Sequence, residues 1–370
     1  MKTAKIAFSL LLVLCLCLTP LTAFAMGTQL RVETADYTLQ LPDTWEGKVL
    51  TELREHDGHE ILQVYHRASH EMEGAGTLFQ LWAWDDMSFV GMPSYMVAGV
   101  LTDGETARYL VACLPTDVQA ALSVMDEYAS LYDRETFREI FDAIEPREGL
   151  RFEPIDPELL KLAQTRFEYA NALYIAIGFN ELPDGTPIAP EDWGGAMENN
   201  RFAVCDVDGD GEEELLISVE DSVMAGMATV VYRLEDYRLI EELRTFPVPE
   251  FFEGGLARSY ASHNHTYGMN CWPYALWRFN EETNRYDQFA SVYSWDREIS
   301  ETDYNGSAFP ADVDLDGNGT VYSITDLDGE RWVDDEDYFA WEAEQLGGAE
   351  ALELNWLALT NDNIDTMRGF

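Results

Sequence analysis

Apolar side chains recur along most of this chain with the two-residue period of a half-buried strand, and in a few stretches with the period of a helix. Tyr37-Thr38-Leu39-Gln40-Leu41-Pro42 alternates, and Asp43 to Gly47 turns the chain. Ile61–Tyr65 and Gly76–Trp84 read as further strands. Thr102-Asp103-Gly104-Glu105 is a hairpin signal between Tyr95–Leu101 and Arg108–Cys113. After Pro115, Thr116 is the expected N-cap of a helix carrying Val118, Ala121, Leu122, Met125, Tyr128 and Leu131 at helical spacing. A second helix, Glu135–Ile144, gathers Phe137, Ile140, Phe141 and Ile144 on one face. Residues 26–149 are therefore expected to form an α+β domain, an antiparallel sheet covered by its C-terminal helices.

Glu145 to Pro154, rich in charge, Pro and Gly, is the expected boundary. Asp156 then caps a long helix with Pro157 at its first position. Leu159, Leu160, Ala163, Phe167, Ala170, Leu173, Tyr174 and Ile177 form its apolar face, and Gly178 is expected to close it. A Pro- and Gly-rich loop, 182–195, follows. The remainder reads almost wholly as strand: Ala228–Leu234, Tyr237–Leu243, Trp272–Phe279 and Tyr286–Trp295. Residues 150–370 are thus expected to be a helix plus a mostly antiparallel β domain. The dense aromatics of the last two strands suit a packed core or cross-strand ladder, or else a platform for sugar or peptide.

One stretch carries recognisable chemistry: Cys205-Asp206-Val207-Asp208-Gly209-Asp210-Gly211-Glu212-Glu213-Glu214-Leu215. Its acidic residues fall at every second position, as a loop wrapping a hard, oxygen-seeking cation requires. Asp206, Asp208, Asp210 and Glu214 would offer carboxylates and Glu212 its backbone carbonyl, while Gly211 stands where the turn needs a positive φ. The position of the bidentate Glu of an EF-hand is Ile217, and both flanks, Arg201–Cys205 and Leu215–Val219, read as strands. The alternative is an acidic Asp/Gly hairpin turn that holds no metal. The loop resembles the EF-hand-like calcium loops of FG-GAP and VCBS repeats in β-propellers, over about fifteen residues. That resemblance implies a structural Ca2+ ion between two strands. The Leu-Pro-Asp-x-Trp opening at Leu41–Trp45 is similar to PsbP-like domains, which implies an α/β/α-type sandwich for the N-terminal domain. The whole pattern, with Pro115-Thr116-Asp117-Val118-Gln119, also resembles secreted proteins of Gram-positive anaerobic bacteria; this implies architecture and location, not an activity.

Two weaker acidic stretches follow. Asp314-Leu315-Asp316-Gly317-Asn318-Gly319 repeats the first half of such a loop, with Tyr322 where a ninth-position ligand would stand. Asp326, Asp328, Glu330, Asp334 and Asp337 match an EF-hand spacing, but Arg331 replaces the turn glycine. Local strand and turn signals instead favour a hairpin about Asp328-Gly329, with Asp334 or Asp335 capping a helix over 336–345.

Charge narrows the partners. With 69 acidic against 23 basic residues the net charge is −46, which argues against nucleic acid or anionic membranes. Met1–Ala25 reads as a cleavable secretory leader, with Lys2 and Lys5, an apolar core and Ala23-Phe24-Ala25, so a secreted, extracellular monomer without a membrane span is expected. Cys113, Cys205 and Cys271 remain; a Cys205–Cys271 disulfide stays open. His56/His59 and His66/His70 lack a zinc pattern, and His263-Asn264-His265 reads as a turn or binding loop. No nucleophile elbow, phosphate loop or dinucleotide fingerprint is present. The leading expectation is a non-enzymatic secreted or cell-surface protein with structural calcium at Asp206–Glu214. A glycan- or peptide-binding module and an acid-pair hydrolase are the alternatives.

Overall fold

The computed structural model describes residues 29–56, 58–188, 195–264 and 267–369, so the expected leader, part of the 182–195 loop and His265 lie outside the described residues. The fold class is α+β with antiparallel sheets, and the chain divides into two compact units, 1–164 and 165–369.

In the first unit, strands β1 (Arg31–Glu33), β2 (Tyr37–Gln40), β3 (Val49–His56), β4 (His59–His66), β5 (Thr77–Trp84), β6 (Tyr95–Thr102), β7 (Ala107–Cys113), β8 (Glu145–Pro146) and β9 (Arg151–Glu153) alternate with helices α1 (Arg67–Glu73), α2 (Met125–Leu131) and α3 (Arg134–Asp142). They form a six-stranded sheet of order β3-β4-β5-β7-β6-β9 and a small one of order β1-β2-β8. The stretch expected to be a boundary thus supplies two edge strands. The β6–β7 hairpin forms as the sequence predicts: Gly104 takes φ 98°, and the Asp103 carboxylate accepts the N–H groups of Glu105 and Thr106. Helix α3 starts at Asp133, whose side chain accepts the Thr136 N–H at 2.8 Å. Its buried Phe137, Ile140 and Phe141 share a core with Leu39 of the small sheet, Leu41 just after it, and Phe79 of the large sheet; Phe79 meets both Phe137 and Phe141 edge-on at 5.2 Å.

One helix is shorter than its periodicity implies. α2 begins only at Met125, and Val118 and Leu122 are exposed. The Ala121 N–H is drawn to the buried Ser69 hydroxyl at 3.1 Å, and Ala121 sits in the extended region, so the segment before it cannot be helical.

In the second unit, helix α4 (Pro157–Phe179), which spans the division, buries Tyr169, Ala170, Leu173 and Ala176. Of the expected apolar face, Ala163, Ala170 and Leu173 are buried but Leu159 is exposed, and Tyr169, which that face did not include, is buried with its hydroxyl donating to the Glu213 carbonyl at 2.6 Å. Gly178 stays inside the helix, and Asn180, at φ 58°, takes the left-handed conformation beyond its end. Strands β10 (Arg201–Cys205), β11 (Glu214–Val219), β12 (Ala228–Glu235), β13 (Arg238–Thr245), β14 (Glu250–Phe252), β15 (Leu256–Tyr260), β16 (Tyr274–Asn280), β17 (Arg285–Asp296), β18 (Thr320–Asp326), β19 (Gly329–Val333) and β20 (Leu357–Ala358) follow, with α5 (Asp335–Leu346) and α6 (Asn361–Arg368). They build a five-stranded sheet, β13-β12-β11-β10-β20, and a six-stranded sheet, β14-β15-β16-β17-β18-β19. The five-stranded sheet buries one face under α4, through Phe202, Leu215, Ile217, Val230 and Tyr232. Its other face, with Ala203, Leu216, Val231 and Leu243, packs on Phe251, Ala257 and Tyr286 of the six-stranded sheet. Cys113, Cys205 and Cys271 are all free, so the Cys205–Cys271 bridge left open by the sequence is not formed.

Phe137→Ala removes the ring on which both sheets of the first unit converge, and is expected to cost about 3–5 kcal/mol. Urea unfolding checks this: one transition moves to lower denaturant while the folded far-UV spectrum is retained.

Candidate metal centre

The acidic loop joins two neighbouring antiparallel strands, β10 and β11, which close in register at Cys205 and Glu214. Within it, the Asp206 carboxylate accepts the N–H groups of Gly209 (2.8 Å) and Gly211 (3.1 Å). Asp208 accepts from Asp210 (3.0 Å), and Asp210 from Glu212 (2.7 Å). Gly209 and Gly211 take φ 84° and 94°, conformations that favour glycine. The result brings one carboxylate oxygen each from Asp206, Asp208 and Asp210 within 4.8 Å of one another.

A second group shares Asp208. Oxygens of Asp208, Glu214 and Glu242 also lie within 4.8 Å of one another, and these residues are 7 %, 1 % and 4 % exposed. Glu214 faces inward because of strand parity. Leu215 and Ile217 point toward α4, so Glu214 and Leu216 point between the two sheets. There Glu214 accepts the Val207 N–H at 2.9 Å.

Glu242 arrives by a different route. Val231 pairs with Leu243 and Tyr232 with Glu241, which leaves Glu242 as the extra residue of a β-bulge in β13. The bulge resets the alternation: Leu239 and Leu243, four residues apart, bury on opposite faces of the sheet. Neither carboxylate oxygen of Glu242 has a hydrogen-bond partner among the described residues. Arg233 Nε stands 3.3 Å from Oε1, an ion-pair distance, but without the angle of a hydrogen bond. Consecutive glutamates in an otherwise alternating strand, Glu241-Glu242, are the sequence signal that could have pointed here.

The six-stranded sheet holds the loop from the other side. Tyr286 donates its hydroxyl to the Val207 carbonyl at 2.7 Å. Gly255 approaches so closely that a Cβ there would lie 2.7 Å from the Asp208 carbonyl oxygen. Burial, reinforced by the neighbouring carboxylates, pushes Glu214 up to about 9, Glu242 to about 8 and Asp208 to about 6. All five carboxylates offer oxygen, three are buried, and Arg233 is the one basic group within ion-pair distance of them among the described residues. This donor set fits a hard divalent cation.

Of the expected ligands, the carboxylates of Asp206, Asp208, Asp210 and Glu214 are brought together in these two groups; Glu212, expected to offer only its backbone carbonyl, has an exposed side chain. The spacing Asp326, Asp328, Glu330, Asp334 and Asp337 is not gathered into one site. Asp326 is held by Arg331 through two contacts of 2.8 Å and by Trp341 Nε1 at 3.0 Å, which keeps its carboxyl below the usual range. The hairpin forms, turning at Leu327–Asp328, and Asp328, Glu330 and Asp337 are exposed. Asp334 stands at the N-cap of α5, but its side chain does not cap that helix.

Histidines form no metal group among the described residues. His66 links Ser69 (2.9 Å) and Glu127 (2.8 Å) in the order of a hydrolytic triad, yet Ser69 and His66 are wholly buried, so no substrate reaches the hydroxyl. The aromatics of the second unit divide between roles. Tyr274 and Tyr286 are buried, while Tyr267, Tyr293, Tyr304 and Trp332, with the largely buried Trp295 and with Asp303 and Glu330, line a cleft of about 500 Å³. Comparison with protein-family models, with curated proteins and with solved structures gives no match.

The raised values fix the sign of the pH dependence without metal. Folded Glu214 and Glu242 keep protons that the unfolded chain releases above its ordinary carboxylate pKa, so stability falls as pH rises toward the folded values. The melting temperature of chelator-treated protein is expected to drop between about pH 5 and about pH 8. A Glu242→Gln variant should show a shallower slope.

Proposed function

We propose that this chain is an exported, non-enzymatic protein whose second unit is stabilised by a calcium ion held by Asp206, Asp208, Asp210, Glu214 and Glu242. The observation that carries this reading is Glu242: a fully buried carboxylate without a hydrogen-bond partner, aimed at two further buried carboxylates. Burying ionised carboxylates together is costly unless opposite charge accompanies them, and one offset arginine does not balance three. A divalent cation supplies that charge. Calcium suits an irregular, carboxylate-rich cage better than magnesium, which demands a near-ideal octahedron. The position of the loop between adjacent antiparallel strands agrees with its resemblance to FG-GAP and VCBS loops. Export rests on the leader-like Met1–Ala25, and the acidic surface suits an extracellular setting.

In this role the protein's own groups do the positioning. Asp208 belongs to both carboxylate groups, Tyr286 and Gly255 hold its neighbourhood from the facing sheet, and the bulge supplies Glu242. Because the ion binds the folded loop, its binding free energy adds to stability, about 2.7 kcal/mol at a hundredfold excess over Kd. The expected result is a melting temperature that rises when calcium is restored to chelator-treated protein, and rises far less with magnesium. Asp208→Asn should abolish the gain. Glu242→Gln should stabilise the metal-free protein at neutral pH while reducing the gain from calcium. Superimposed melting curves with and without calcium would overturn the reading.

A second reading attaches to the aromatic cleft, whose Tyr, Trp and carboxylate lining suits sugar rings by stacking and hydrogen bonding. Quenching of tryptophan fluorescence by soluble glycans, lost in Trp332→Ala, is its expected signature; unchanged fluorescence across a glycan panel would exclude it.

A further inference from the structure

Two partial motifs stand apart in the sequence, at 314–319 and 326–337, and the structure brings one residue of the second, Asp334, to the loop of the first. The Asp314–Gly319 loop repeats the backbone of the first acidic loop. In both, the N–H of the sixth residue donates back to the first aspartate: Gly211 to Asp206 at 3.1 Å, and Gly319 to Asp314 at 3.2 Å. In both, the fifth residue's N–H donates to the third: Asp210 to Asp208 at 3.0 Å, and Asn318 to Asp316 at 2.9 Å. Gly317 and Gly319 take φ 74° and 81°, as Gly209 and Gly211 do in the first loop. The carboxylate that the second loop lacks at its fifth and ninth positions, Asn318 and Tyr322, comes from elsewhere in the chain.

That carboxylate is Asp334, at the junction of β19 and α5. One oxygen each of Asp314, Asp316 and Asp334 lie within 4.8 Å of one another. Asp334 is 6 % exposed; its Oδ2 accepts the Leu315 N–H at 3.1 Å, and its Oδ1 is buried without a partner among the described residues. No Lys or Arg among the described residues stands within ion-pair distance of the three carboxylates. A buried carboxylate oxygen left unpaired, in a helix-cap position where it does not cap, calls for a partner. Neighbouring Asp335 turns toward the same loop, accepting from Asn318 Nδ2 at 3.0 Å.

We propose that Asp314, Asp316 and Asp334 form a second site for a hard divalent cation of the calcium type, independent of the first. It has fewer buried carboxylates than the first site, and Asp316 is exposed, so it binds more weakly. Occupancy ties the loop before β18 to the start of α5. Its ion therefore orders one loop against one helix, whereas the first site lies between two sheets.

Calorimetric titration of the full chain with calcium chloride tests this. Two binding events are expected, the weaker at about tenfold or more higher Kd. Asp334→Asn, which keeps the shape and an acceptor for Leu315, should remove only the weaker event; so should Asp316→Asn, an exposed substitution that decides the matter if the buried one impairs folding. Asp208→Asn should remove only the tighter event. If the wild-type isotherm contains only the event that Asp208→Asn removes, and Asp316→Asn leaves it unchanged, the second site does not exist and the first reading stands. If Asp208→Asn changes nothing while Asp316→Asn abolishes binding, the first reading fails and this one survives.

Discussion

The second unit is arranged around a conflict between like charges and burial. Asp208, Glu214 and Glu242 bring carboxylates together in the space between two sheets, where water cannot screen them. Each is there for a backbone reason: a loop closed by its own aspartates, a strand parity, a bulge. Removing the conflict would mean changing the packing of Val207, Leu216 and Leu243, which belong to the same core. The acidic centre and the apolar core are therefore parts of one construction. Whatever neutralises the first, protons or a cation, also decides how tightly the second can close.

Much of the architecture could be read in the sequence. The β6–β7 hairpin, the α3 face, the strands flanking the acidic loop and the 320–333 hairpin follow from local alternation, glycines and caps that agree with one another. Elsewhere long-range contacts override the local pattern. Val118 and Leu122 sit at helical spacing, but the Ala121 N–H goes to Ser69, far away in the chain; the stretch before Ala121 is not helical and Leu122 only opens a short 3-10 turn. Tyr169 lies outside the stripe expected of α4 yet is buried, the Glu213 carbonyl giving its hydroxyl a partner.

The candidate site divides along the same line. Asp206, Asp208, Asp210 and Glu214 are visible because a loop's ligands follow each other at fixed intervals. Glu242 is not, and Asp334 is visible only as part of a spacing with other residues, since each reaches its cluster through tertiary structure. One is carried by a register shift, the other by a hairpin that returns the chain to an earlier loop. A linear ligand pattern also overcounts: Asp326 fits an EF-hand spacing yet is fully engaged by Arg331 and Trp341. Spacing finds ligands that share a loop and says nothing of those that the fold delivers.

The bulge in β13 has an evolutionary corollary. Loss of one codon at the Glu241-Glu242 pair would restore an uninterrupted ladder opposite Val231 and Tyr232 and take one wall from the acidic chamber, leaving every residue of the loop in place. A lineage can thus acquire or discard a ligand through a single-residue insertion or deletion in a strand far along the chain from the motif. Conservation of the loop by itself would not record that history.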